Sequence, residues 1–163
     1  MTRAPLGDSD AATKLNETLK RWAELWHESS FVGEIEHQEQ PDDKGHFHWL
    51  LRLKGEEKDV STLWLSLRQR TVHVETELMP APEEQHEELY RYLLVKNHEL
   101  RELHLAIGPE EGIYLVTQVP IQELDIERLD EIVGATLTYV DAIYPTAMSM
   151  GYRSVYRRRK RNT

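Results

Sequence analysis

Eight histidines and no cysteine set the chemistry open to this 163-residue chain. His46 and His48 stand two apart in a stretch that reads as a strand, so both imidazoles point to one side of it. His73 and His104 fall on the same side by alternation, and Glu75 adds a carboxylate. Imidazole and carboxylate ligands suit zinc or another divalent ion. Such ligands converge only if their strands are neighbours, and scattered histidines on a polar sheet face are the commoner outcome. No metal and no cofactor is therefore expected. His86 stands apart, central on the apolar stripe of a helix, and is expected to be half-buried and hydrogen-bonded. His86-Glu87 also fails the His-Glu-x-x-His zinc pattern, because position 90 is Tyr.

Other catalytic patterns are missing from the sequence. It holds no Gly-x-Ser-x-Gly elbow, no phosphate loop ending in Gly-Lys-Ser/Thr and no Gly-x-Gly-x-x-Gly. Zero cysteine excludes disulfides, thiolate metal sites and a thiol nucleophile. Carboxylate pairs such as Glu34/Glu36 and Glu75/Glu77 alternate on strands, but 29 acidic residues generate such pairs by default. No enzyme is expected.

Charge separates along the chain. The formal net charge is −9, yet residues 1–152 carry −15 and residues 153–163 carry +6. An acidic body is unsuited to coating nucleic acid, whose phosphates need a cationic surface. Arg153 and the run Arg157, Arg158, Arg159, Lys160 and Arg161 could bind nucleic acid or another polyanion, with Tyr152 and Tyr156 available to stack on bases. The plainer readings are a solvated, disordered end, or a tail laid on its own acidic body or on a dimer mate.

The elements that would position these residues follow from periodicity. Ala12, Leu15, Leu19, Trp22, Ala23 and Trp26 form one helical stripe, with cap candidates at Asp8, Ser9 and Asp10. Period two then predicts strands over Phe31–Gln38, His46–Leu53, Val60–Arg68 and Thr71–Leu78. Their short connections, Gln40 to Gly45 and Lys54 to Lys58, favour antiparallel neighbours. Pro80-Ala81-Pro82 opens a second helix from Glu83 to about Lys96, with a stripe of Leu89, Tyr90, Leu93 and Leu94 and a stop at Asn97. A hairpin of Glu102–Ile107 and Ile113–Val119 follows. The last helix carries Ile126, Leu129, Ile132, Val133, Leu137, Val140, Ile143 and Tyr144 on one face. Pro145 should kink or end it, with a short turn through Met150 and Gly151. The result is an α+β domain with an antiparallel sheet and the order α-β-β-β-β-α-β-β-α.

That order, with HEELYRYLLVKN at 86–97, LRELHLAIGPEEGIYLVTQVP at 100–120 and LDEIVGATLTYVDAIYP at 129–145, resembles the YbjN-domain family. The family is also described as type III secretion chaperone-like and as a bacterial sensory transduction regulator. The likeness spans roughly residues 15–151, and the Arg157–Arg161 run is not part of the family pattern. It implies a small acidic dimer that holds an unfolded segment of a client protein on apolar surface. It names no chemistry.

The residues themselves suggest where such a partner would sit. If Trp49, Leu51, Leu63, Leu65, Val72 and Val74 face the core, the other sheet face shows Leu50, Trp64, Tyr114 and Val116 among polar residues. A solvated face should be nearly all polar, so this cluster reads as a contact site, unless a helix covers it. The expectation is therefore a flexible N-terminus (1–10), a chaperone-like domain (11–152) and a basic disordered tail (153–163), with protein-binding function, the expected partners being a second copy and a client. Met1 to Asp10 carries one Arg and no apolar run, unlike a secretory signal, so a cytoplasmic location is expected.

Overall fold

The computed structural model describes residues 8–29, 31–37 and 42–158. The elements are α1 (Asp8–Trp26), β1 (Val32–His37), β2 (Phe47–Lys54), β3 (Val60–Arg68), β4 (Thr71–Met79), α2 (His86–Glu99), β5 (His104–Ile107), β6 (Ile113–Pro120) and α3 (Ile126–Gly151). The strands form one six-stranded sheet in the order β1-β2-β3-β4-β6-β5, and every neighbouring pair is antiparallel. α2 is inserted between β4 and β5, so β6 rather than β5 pairs with β4. The expected order of elements is the observed one. The Gln38 end of the first expected strand and the Gln40-Pro41 part of its turn lie outside the described residues.

One face of the sheet carries the core. Leu15, Leu19 and Trp22 of α1 meet Trp49, Leu51, Leu63, Leu65, Val72 and Val74, together with Leu129, Ile132 and Val133 from the first half of α3. Leu89 and Leu93 of α2 meet Leu103, Ile113 and Leu115, with Val140, Ile143 and Ala147 from its second half. Burying each such side chain stabilises the fold by roughly 1.5–3 kcal/mol. The indole N–H groups on this face find acceptors: Trp22 donates to Asp130 Oδ1 at 3.3 Å and Trp49 to Asn16 Oδ1 at 3.4 Å. Two hydroxyls do not. Ser61 Oγ and Thr76 Oγ1 are buried without a hydrogen-bond partner among the described residues.

Several boundaries differ from the expected ones. α1 takes in Asp8 to Asp10, the residues expected to cap it. α2 starts at His86, not Glu83, because the N–H groups of Glu83 and Glu84 both bond the Gly151 carbonyl (3.0 and 3.1 Å) and Gln85 is left-handed at φ 48°. His86 is thus exposed in the first turn, edge-on to Tyr90 at 6.1 Å between ring centroids, and is not the half-buried residue expected. Asn97 does not stop the helix, which runs on to Glu99. β5 begins at His104 rather than Glu102. Pro145 does not end α3 either. The helix continues to Gly151, with Pro145, Ala147 and Gly151 all buried, so packing outweighs the one backbone bond that proline removes. At Gly151 a side chain would meet Met79 Cε at 2.7 Å, which is why this helix end can dock so closely.

Candidate functional site

Among the described residues, α1, α2 and α3 all pack on the core face, and none of them covers the second face of the sheet. Cross-strand register lines up Glu36, Leu50, Trp64, Glu75, Val116 and His104 in one row running from β1 to β5. Leu50 stands directly opposite Trp64, and Glu75 separates Trp64 from Val116. Trp64 keeps 41% of its surface exposed. In the adjoining row Tyr114 stands opposite Glu77 and Ala106, its hydroxyl donating to Glu77 Oε2 at 3.3 Å. Burial and then the charge of Glu77 push the Tyr114 phenol above its ordinary pKa. The structure thus puts Leu50, Trp64, Tyr114 and Val116 on one face, as two groups divided by the Glu75 and Glu77 carboxylates. Arg52, on the same face, bonds Glu36 Oε1 at 3.1 Å.

A third row holds His48, Ser66, His73 and Gln118. His48 Nδ1 lies 2.8 Å from Ser66 Oγ, and its Nε2 lies 2.7 Å from Asp42 Oδ2. This Ser–His–Asp line has the connectivity of a nucleophile relay. It lacks the rest of one. Ser66 lies mid-strand, where its neighbouring backbone groups are engaged in the ladder on both sides, and it is only 6% exposed. An oxyanion needs free donors at the nucleophile. The line instead ties the Asp42 turn to the sheet: Asp42 also accepts the N–H groups of Lys44 and His46 at 2.9 Å each. The His48 bond, followed by the His46 backbone bond, holds the Asp42 carboxyl far below the usual carboxylate range. His73 is held below the usual imidazole value, first by burial and then by the nearby charges of Arg68 and His46. His104 lies in the Trp64 row instead. Among the described residues no three His, Asp or Glu side chains are placed to hold a metal ion.

A second exposed apolar surface was not anticipated. Leu94 is 70% exposed, Val95 59% and Ile107 53%. Periodicity puts Leu94 on the core stripe, but only Leu89 and Leu93 of α2 are buried. The signal was the run Tyr92-Leu93-Leu94-Val95, since four consecutive apolar residues are more than one helix face can bury. Between α2 and β5 lies a groove of about 220 Å³ lined by Tyr90, Leu94, Asn97 and Ile107. Asn97 occupies the open edge of β5, its amide donating to the Leu105 carbonyl at 3.3 Å and accepting the Leu105 N–H at 2.9 Å. That pairing satisfies an edge that would otherwise recruit a strand.

Of the basic tail, residues to Arg158 are described, and Arg159, Lys160 and Arg161 lie outside the described residues. Arg158 Nη2 bonds Glu57 Oε1 in the β2–β3 turn at 2.6 Å.

The sequence profile of the family described as "Putative bacterial sensory transduction regulator", YbjN, matches residues 32–147. The chain belongs to the YbjN family. The matched stretch begins at β1 and ends within α3, so it takes in the whole uncovered sheet face and α2. The uncharacterized protein ML2442 of Mycobacterium leprae is 29% identical over 140 residues, 82% of this YbjN chain and 76% of that protein. The uncharacterized protein Mb0497 of Mycobacterium bovis is 30% identical over 109 residues, 67% of this chain and 60% of that protein. Among solved structures, a chain of the HopA1–SchA chaperone–effector complex superposes with a TM-score of 0.54 at 13% identity, covering 86% of this chain and 99% of that one. The YbjN domain therefore has the type III secretion chaperone-like fold.

Proposed function

We propose that this YbjN-family chain is a non-enzymatic protein-binding domain that seats a client segment along Leu50, Trp64, Tyr114 and Val116 and works as a cytoplasmic homodimer. The Leu50–Trp64 pair on an uncovered sheet face carries the reading, because a large indole left 41% exposed directly opposite a leucine is the kind of anchor that interfaces bury. A solved chain of the same fold belongs to a chaperone–effector complex, which supports a polypeptide as partner. No helix among the described residues is long and apolar enough to cross a membrane.

The second copy is assigned to α2. Its first turn is acidic (Glu87, Glu88) and its last turn basic (Lys96, His98), with Leu94 and Val95 exposed between them. An antiparallel two-fold pairing lays acid on base at both ends and buries the exposed leucines, which a symmetric interface requires. The sheet face stays free for the client. The domain is taken to span residues 11–152.

The alternative, a polyanion-associated regulator acting through Arg157, Arg158, Arg159, Lys160 and Arg161, draws on the charge split between body and tail. Arg158 is already engaged with Glu57, which favours the protein-binding reading. Partner capture by wild type and Trp64→Ala, repeated with a chain truncated at Tyr152, tests both. Loss with Trp64→Ala alone supports the sheet face, and loss with truncation alone supports the tail.

A further inference from the structure

Of the carboxylates in the rows that cross the second sheet face, two are engaged from within the chain. Glu36 Oε1 accepts from Arg52 at 3.1 Å, and Glu77 Oε2 accepts the Tyr114 hydroxyl at 3.3 Å. Glu75 differs. It is half-buried between Trp64 and Val116, and among the described residues its carboxylate makes no hydrogen bond or ion pair. A hollow of about 510 Å³ opens beside it, lined also by Arg68, His73, His104, Val116 and Gln118. Arg68 shares the hollow without pairing with Glu75, and His73, held below its ordinary 6.5 by burial, is neutral near pH 7. A charge partly withdrawn from water gains from a cation brought to it. The indole opposite Glu75 selects among cations, because a guanidinium can stack on an aromatic face while it bonds a carboxylate through two N–H groups.

Register also sets the spacing of an occupant. With neighbouring strands about 4.8 Å apart, the Leu50–Trp64 pair, Glu75 and the Val116–His104 pair follow one another across the sheet at about 7 Å. Alternate residues of an extended chain lie about 7 Å apart on one side of it. We infer that the client segment carries an arginine flanked, two residues away on each side, by a large apolar residue. Its guanidinium sits on Glu75 against the Trp64 ring, and the apolar side chains lie on Leu50 and Val116. Charge complementarity favours such a segment: residues 1–152 carry −15, and Glu77, next along the strand on the same face, strengthens the local negative field. This assignment rests on the sheet face being the client's seat and adds what the client presents there.

The test is an NMR titration of the full chain with two capped peptides, acetyl-Gly-Ile-Ser-Arg-Ser-Ile-Gly-amide and the same peptide with glutamine in place of arginine. Both should shift the Trp64 indole N–H and the Glu75 and Val116 amides, the arginine peptide binding roughly tenfold tighter, the scale of one charge-assisted pair. Glu75→Gln should bring the arginine peptide down to the affinity of the glutamine peptide and leave the latter within twofold. Glu17→Gln, which makes the same charge change on α1, should alter neither by more than twofold. The peptide pair on wild type keeps the test valid should Glu75→Gln fail to fold. Equal affinities of the two peptides for wild type, both mapped to Trp64, would overturn the arginine assignment and leave the sheet-face reading standing. Shifts confined to residues away from this face would overturn both. Binding by neither peptide would overturn the arginine assignment, with partner capture by Trp64→Ala then deciding the sheet face separately.

Discussion

Leu50 and Trp64 face each other across the β2–β3 ladder on the side of the sheet away from α1, α2 and α3. Directly opposed side chains on antiparallel strands lie close enough to make one continuous surface. Trp64→Ala should therefore weaken client binding by roughly 30-fold, the loss of an aromatic anchor worth about 2 kcal/mol. The same change should move the thermal midpoint by only a few degrees, since much of the indole is already in solvent. Titration calorimetry and thermal unfolding on one preparation check both halves.

Leu94→Glu should leave the fold intact and abolish self-association. Leu94 is 70% exposed in the single chain, so the folded monomer loses little packing. A carboxylate near the two-fold axis would face its own copy. Sedimentation equilibrium should show a dimer for wild type and a monomer for the variant. A wild-type monomer at tens of micromolar would remove the α2 pairing.

Thr76→Val should be neutral or stabilising by up to about 1 kcal/mol, because it replaces a buried hydroxyl without a partner by a methyl of the same shape. Leu65→Ala, also fully buried on this face, should cost about 2–5 kcal/mol. Urea unfolding of the pair separates a dry core from one in which the Thr76 hydroxyl is used.

Acidification should destabilise the fold in two stages. His73 holds its proton less tightly in the folded state than its ordinary value of 6.5, so the unfolded chain binds more protons as pH falls through that value, and stability drops. Asp42 is depressed below its ordinary 3.8, so its stabilising contribution is complete above that value and is lost as pH falls beneath it. His73→Asn should flatten the upper stage of a thermal-midpoint profile and Asp42→Asn the lower. A profile unchanged by either substitution would contradict the assignment.

The sheet was legible because its strands alternate cleanly. Leu63, Leu65 and Leu67 against Thr62, Trp64 and Ser66 set both faces of β3 without any tertiary information. The misplaced features all depend on contacts that lie far apart in sequence. Nothing local to Glu83 shows that its N–H will be taken by Gly151, and nothing near Pro145 shows that the helix beyond it docks on Met79 and Leu89. The Ser66–His48–Asp42 line was hidden for the same reason, since it forms only when β2 is laid beside β3. The four contact residues were visible as a face, but the carboxylates dividing them came from register. Glu75 stands between Trp64 and Val116 only because β4, not β3, neighbours β6.

The most direct measurement is photo-crosslinking from position 64 in native cell extract, with the same reactive side chain at exposed Glu17 on α1 as the comparison. A client held on the uncovered sheet face predicts a discrete polypeptide adduct from position 64, lost on competition with unlabelled wild type and retained against unlabelled Trp64→Ala. Equal labelling from both positions, or an adduct that Trp64→Ala competes away as well as wild type does, would contradict it.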